Sequence, residues 1–305
     1  MTNHYRFKQD EIEKIISRFG ENFYEKVLRD IEVYAEKWSL RSFQLIPSYS
    51  ANLVFKCYAE DFGSAVLKLG NPTCREIYTE VNTLHHYNGS RFCKVFAADI
   101  ENGVILEECI QPGIPLRDDH SLDKRLSVFC SLHKGLHSAP EQAEIYPTYT
   151  EWVSRITAYM STREDSKELY LHMKKANDIC LSIAASYSQK MLLHGDFHHD
   201  NILLGQGEEY IIIDPKGVLG DPVFDVPRFI LNEFEDEITP ELYSKIHYII
   251  SVFEMNLNIP SDIIKQCLYV ETAMGACWSV ESGSTADEYP TLIANVAFAE
   301  TIMNA

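Results

Sequence analysis

Apolar residues recur at three- and four-residue steps from Phe7 to about Lys37: Ile12, Ile15, Ile16 and Phe19, then Phe23, Val27 and Ile31. That spacing places them on one helix face, and Gly20 interrupts it, so a broken helical leader is expected. From Ser42 to Leu69 the period shortens. Phe43 and Leu45, Leu53 to Phe55, and Ala65 to Leu67 are short apolar runs separated by polar or turn-forming residues. They predict three antiparallel strands. A helix over about 73–87 and two further strands, 94–100 and 104–110, follow, the last two joined at Glu101-Asn102-Gly103. Beyond Pro112-Gly113 the helical period dominates 121–138, 149–163, 165–189 and 222 onward. Leu192 to Asp214 forms a strand-and-turn island within it. The expected class is α+β: a sheet-bearing N-terminal part over 1–108 and a mostly helical part over 109–305.

Composition narrows the chemistry. The 305 residues carry 27 Lys+Arg against 45 Asp+Glu, a net charge of −18. No broad basic face is available to neutralise nucleic-acid phosphates, so such a partner is not expected. The eight cysteines form no CxxC pair, which argues against a zinc ribbon or a thioredoxin-type motif. Met1 to Lys14 is polar, and no run approaches 18 apolar residues, so neither a signal peptide nor a membrane helix is expected. The expectation is a soluble, cytoplasmic protein.

Chemistry concentrates in His194-Gly195-Asp196-Phe197-His198-His199-Asp200-Asn201, with Asp214 thirteen residues further on, after the apolar Tyr210 to Ile213. Two carboxylates and an amide on loops beside short strands suit magnesium held together with phosphates, because Mg²⁺ takes hard oxygen ligands and retains water. Asp196 precedes Asn201 by five residues, the spacing of the kinase catalytic loop. Asp and Asn at turns also serve simply as backbone caps, but a second Asp after an apolar strand favours a site. Zinc is disfavoured: His194 and His198 stand at i, i+4 without the Glu of HExxH. Upstream, Lys68 is a lone cation in the apolar run Ala65 to Leu69, with Glu76 and Glu80 on the next predicted helix. A buried Lys requires a partner, whereas a strand-end Lys can reach solvent. Leu84 puts Glu80 on the inward side.

Leu193 to Asn201 and Ile213-Asp214-Pro215-Lys216-Gly217-Val218-Leu219-Gly220 resemble the aminoglycoside phosphotransferase superfamily. The His198-His199 pair and the IDPKG run are similar to the aminoglycoside/hydroxyurea resistance kinases, the streptomycin 6-phosphotransferase type. The resemblance spans about Ser48 to Gly283 and implies a bilobal protein-kinase-like fold with ATP between the lobes. It further implies Asp196 as catalytic base, Asn201 and Asp214 as Mg²⁺ ligands, Lys68 on the α/β-phosphates and Glu80 orienting Lys68. Glu107-Glu108-Cys109 would contact adenine through backbone groups, and Ser50 and Asn52 would lie over the phosphates. Asp225 would brace the catalytic region. Departures from protein kinases are informative: 48–52 has no glycine, Gly195 replaces the Arg of HRD, IDP replaces DFG, and no APE segment follows. A small-molecule kinase therefore fits better than a regulated protein kinase.

Residues 233–305 hold twelve Asp+Glu and two Lys+Arg. Such a region would attract a cationic acceptor, though acidic helices also simply keep a protein soluble. His198, Glu271, Trp278 and Glu281 are the candidate acceptor residues, Trp278 as a stacking surface. Three functions stay open: an antibiotic O-phosphotransferase, a metabolite kinase acting on an amino alcohol or sugar, and a non-catalytic nucleotide-binding regulator.

Overall fold

The computed structural model describes residues 4–49, 51–73 and 75–305. The leader forms α1 (Gln9–Phe19) and α2 (Glu21–Lys37). Gly20, at φ +87°, makes the break between them in a backbone region that side-chain-bearing residues avoid. Five strands follow: β1 (Leu40–Ile46), β2 (Leu53–Ala59), β3 (Gly63–Leu69), β4 (Val95–Asp99) and β5 (Val104–Glu108). Helix α3 (Glu76–Tyr87) lies between β3 and β4 in sequence. All strand pairs are antiparallel, in the order β1-β2-β3-β5-β4.

Alternation along the strands separates two faces. Leu53, Phe55 and Cys57 of β2, with Ala65, Leu67 and Leu69 of β3, join Ile15, Phe23, Val27 and Ile31 of the leader in one buried cluster. Val66 and Lys68 therefore project from the opposite face. The register opposes Val66 to Glu107 and Lys68 to Ile105.

Contacts divide the chain into two compact units, Met1–Ile114 with Leu204–Ile213, and Pro115–Leu203 with Asp214–Ala305. The returning segment joins the first unit through backbone bonds, Cys93 N–H to the Ile212 carbonyl (3.0 Å) and Ile212 N–H to the Arg91 carbonyl (2.8 Å).

The second unit holds α4 (Leu122–His133), α5 (Tyr149–Ser161), α6 (Lys167–Ser186), α7 (Pro227–Leu231), α8 (Pro240–Leu257), α9 (Ser261–Glu281) and α10 (Tyr289–Asn304). Helix α9 packs against α5, α6, α7, α8 and α10. Its consecutive Cys267, Leu268, Tyr269 and Val270 are all buried, as expected of a central helix. Phe129 of α4 stacks among Phe197, Phe229 and Phe253, with ring centroids 4.6–5.0 Å away. Two three-residue strands, Met191–Leu193 and Val218–Gly220, pair antiparallel and bring the residues that follow Leu193 beside those that precede Val218. Among the described residues no helix is long and apolar enough to cross a membrane. The described cysteines are free, and all but Cys109 are buried.

Candidate active site

In the sheet unit, Lys68 sits at the end of β3 with only 5 % of its surface exposed. Its ammonium pairs with the buried carboxylate of Glu80 and lies 3.1 Å from Oε2 of Glu107. Glu76, one turn earlier on α3, is exposed. The Glu107 carboxylate was not foreseen, because the sequence reading used only its backbone. Register explains it: Glu107 faces Val66 across the ladder, on the same sheet face as Lys68. One cation is thus shared by two buried acids, an arrangement that fixes the ammonium tightly. Cys109 donates its N–H to the Ser64 carbonyl at 3.4 Å, and Glu108 N–H donates to that of Lys94 at 2.9 Å. A cavity of about 390 Å³ borders this strand end, lined by Phe62, Ser64, Phe96, Cys109, Gln111 and Ile211. Asn52 is buried against Gly70, whose α-carbon is so close that an added Cβ would lie 2.6 Å from the Asn52 amide oxygen. Ser50 falls outside the described residues.

In the helical unit, the loop after Leu193 is held from below. Asp225, 1 % exposed, accepts N–H bonds from His194 (2.7 Å) and Gly195 (2.8 Å) and is met by His137 Nε2 at 2.9 Å. Burial disfavours its ionised form, yet His137 and these donors hold its carboxyl below the usual range. His194 Nδ1 accepts the Asp196 N–H at 3.1 Å. Phe197 is fully buried beside Phe129 and anchors the loop in the core.

This anchoring leaves Asp196 with 24 % of its side chain exposed. His198 Nε2 lies 3.5 Å and Arg228 Nε 3.2 Å from its Oδ1. Desolvation raises its carboxyl pKa, but His198 and Arg228 outweigh this and keep it far below the ordinary value, so the group is ionised. Burial alone would lower the His198 pKa, whereas Asp196 and Asp200 together raise it. Asn201 Nδ2 donates to the Asp196 carbonyl at 2.9 Å, which leaves its amide oxygen for a cation.

Asp214 adopts a left-handed conformation, φ +58°, and its Oδ2 accepts a bond from Lys216 Nζ at 2.9 Å. The Lys216 N–H donates to the His194 carbonyl at 2.7 Å and ties the Asp214 segment to the loop that carries Asp196. Among the described residues no group of three or more His, Cys, Asp or Glu could hold a metal ion by itself.

The candidate acceptor residues separate into two kinds. Glu271, 2 % exposed, pairs with Arg228 Nη2 at 2.7 Å and accepts a hydrogen bond from Tyr149 Oη. Trp278 is half-buried, with its ring centroid 5.9 Å from the Arg228 guanidinium and an edge contact to Trp152. Glu281 lies one turn further along α9 and is bridged by both terminal nitrogens of Arg155, at 2.6 and 2.9 Å. Glu271 thus faces a half-buried cation rather than an open surface, because Arg228 on α7 packs directly against α9. Arg228 was missed by sequence reasoning. Its signal was present: it is the one cation in the run Pro222 to Leu231, and such a residue needs acids around it.

These elements define a class, the small-molecule kinases of protein-kinase-like fold. Choline kinase LicA from Streptococcus pneumoniae shares that fold with a TM-score of 0.65 and 16% identity, over 92% of this chain and 99% of that one. Sequence takes the assignment further. The aminoglycoside/hydroxyurea antibiotic resistance kinase family matches residues 37–283, and the chain belongs to that family. It is 23% identical over 265 residues to streptomycin 6-kinase of Streptomyces glaucescens, covering 84% of each chain. It is also 26% identical over 220 residues to hydroxyurea phosphotransferase of Kitasatospora aureofaciens, covering 70% of this chain and 64% of that one. The protein is a phosphotransferase acting on hydroxyl groups of small molecules.

Proposed function

We propose that this chain transfers the γ-phosphoryl group of ATP, with Mg²⁺, to a hydroxyl of a cationic aminoglycoside, streptomycin being the first candidate. The observation that carries this reading is the braced loop that presents ionised Asp196 beside Asn201 and the Asp214 segment. The likeness to streptomycin 6-kinase along most of both chains supports the choice of acceptor. Nucleotide use is in keeping with the fold, which choline kinase LicA shares and in which it has been solved with AMP.

The donor set fits magnesium: one carboxylate and one amide oxygen, with phosphates and water completing the shell. Asn201 and Asp214 would hold the ion, which would supply charge neutralisation at the phosphates. Lys68, fixed by Glu80 and Glu107, would hold the α/β-phosphates, and the strand end at Glu108 and Cys109 would meet the adenine edge. Asp196 would orient the acceptor hydroxyl. In the in-line step the acceptor oxygen forms its bond to the γ-phosphorus while the bond to the β-phosphate bridge breaks. The hydroxyl proton passes to the Asp196 carboxylate and ADP leaves. Because the transition state is loose, positioning and charge supply most of the acceleration.

A cationic acceptor is favoured by the net charge of −18, not by Glu271, whose oxygens already meet Arg228 and Tyr149. A metabolite kinase is the second reading, favoured by the near-complete coverage of choline kinase LicA.

The test is ATP-dependent phosphorylation of streptomycin by purified protein with Mg²⁺, with hydroxyurea and choline as parallel acceptors and Asp196→Ala as control. The expected result is streptomycin turnover that falls at least about 1000-fold in the variant while Mg-ATP binding persists. Turnover of choline alone would replace the antibiotic reading by the metabolite one.

A further inference from the structure

The two oxygens of Asp196 are not equivalent. His198 Nε2 and Arg228 Nε approach the same atom, Oδ1, at 3.5 and 3.2 Å. For both groups Oδ1 is the oxygen of closest approach. Positive charge therefore gathers on the Oδ1 side of the carboxylate.

Arg228 is itself paired with Glu271, and its backbone is held within α7. Its Nη2 is 2.7 Å from Glu271 Oε1, and Glu271 Oε2 accepts the hydroxyl of Tyr149 from α5. Its own carbonyl receives the Asn232 side-chain amide at 2.9 Å, which closes the short helix α7 around it. Pro227, at the first turn of α7, fixes the entry of that helix. The guanidinium is shared between two carboxylates, Nη2 toward Glu271 and Nε toward Asp196 Oδ1, so its place fixes where positive charge meets Asp196.

We propose that Arg228, braced by Glu271 and Tyr149, is the positioning residue that turns Asp196 so that Oδ2 alone meets the acceptor hydroxyl. The proposal rests on the reading of Asp196 as the group that orients that hydroxyl. It assigns Glu271 to the support of Arg228 and removes it from direct contact with the acceptor. His198 makes the second approach to Oδ1, at 3.5 Å.

The experiment compares Arg228→Gln, Arg228→Lys and Glu271→Gln with the parent protein. It measures kcat and KM for streptomycin and for Mg-ATP, thermal stability, and the crystal structure of each variant. In Arg228→Gln, kcat should fall about 10- to 100-fold with both KM values within about two-fold, since a mis-set base loses transition-state stabilisation and not binding. Arg228→Lys should recover at least about five-fold of that loss, and Glu271→Gln should fall between the two. The crystal structure of Arg228→Gln should show the Asp196 carboxylate rotated or in two orientations. If Arg228→Gln proves unstable, Arg228→Lys and Glu271→Gln give the same readouts. An Asp196 carboxylate unmoved in these variants, or a kcat loss matched by an equal rise in acceptor KM, overturns the proposal. The parent reading fails separately, if Asp196→Asn keeps full turnover or if streptomycin, hydroxyurea and choline are all refused. The orientation of Asp196 in the crystals still decides the proposal in that case.

Discussion

At the level of single residues, Gly195 carries a close constraint beside Asp196. Its φ is +79°, and an added Cβ would lie 2.9 Å from Trp152 Cη2 and 3.0 Å from Val218 Cγ1. Gly195→Ala therefore meets both backbone strain and overlap, and about 2–4 kcal/mol of stability should be lost. Denaturant titration of the purified variant checks this, and a midpoint equal to that of the parent would contradict it. The same site shows what the sequence revealed and what it hid. Asp196, Asn201 and Asp214 stood out because their spacing is that of a kinase catalytic loop, and Lys68 because a cation in an apolar strand demands acids. Arg228, Glu107 and Tyr149 did not, since their partners lie far away in sequence: Arg228 reaches Asp196 and Glu271, Tyr149 reaches Glu271. The mutual pairing of acids and bases also escaped the sequence. Glu281 counts as a bare charge in the sequence but is bridged by Arg155 in the fold.

At the level of elements, strands β1 to β5 and the long helices were readable because each repeats its period several times. Met191–Leu193 opens the strand-and-turn island read from Leu192, whereas its partner Val218–Gly220 was not readable, since three residues carry too little alternation. The predicted helix over 121–138 also ran too long: α4 ends at His133, and Lys134 is extended. That end carries a pH response. His133 is buried, with Nε2 3.1 Å from the Pro222 carbonyl. Burial, reinforced by neighbouring His137, lowers its pKa to about 4, against the partial opposition of Asp225. The unfolded chain takes up this proton near pH 6.5 and the folded one only near pH 4, so stability should fall as pH drops across that window. The contribution reaches about 3 kcal/mol by its lower end. Equilibrium unfolding of His133→Asn between pH 7 and 4 should show a shallower decline than the parent. Parallel curves would remove His133 as the cause.

At the level of the whole molecule, a net charge of −18 sets a long-range field. A polycationic acceptor approaches along that field and a neutral one does not, and salt screens the difference. With streptomycin, kcat/KM should decline several-fold, about three- to ten-fold, between roughly 0.02 and 0.5 M salt, while hydroxyurea should change by less than about two-fold. Equal salt responses from the two acceptors would show that the field plays no part in capture.

The interleaving of the two units has a consequence for biosynthesis. The ribosome completes residues through Ile114, then makes about 90 residues of the second unit before Leu204–Ile213, which belongs to the first. Until that segment emerges, the Arg91 carbonyl and the Cys93 N–H lack their Ile212 partner. At ordinary elongation rates the delay is about 5–20 seconds. The sheet unit must therefore persist, incomplete, through the synthesis of α4, α5 and α6, and truncation anywhere before Ile213 would leave neither unit whole. Nascent chains of this protein would be exposed to chaperones and proteases for longer than those of a kinase whose units followed one another along the chain.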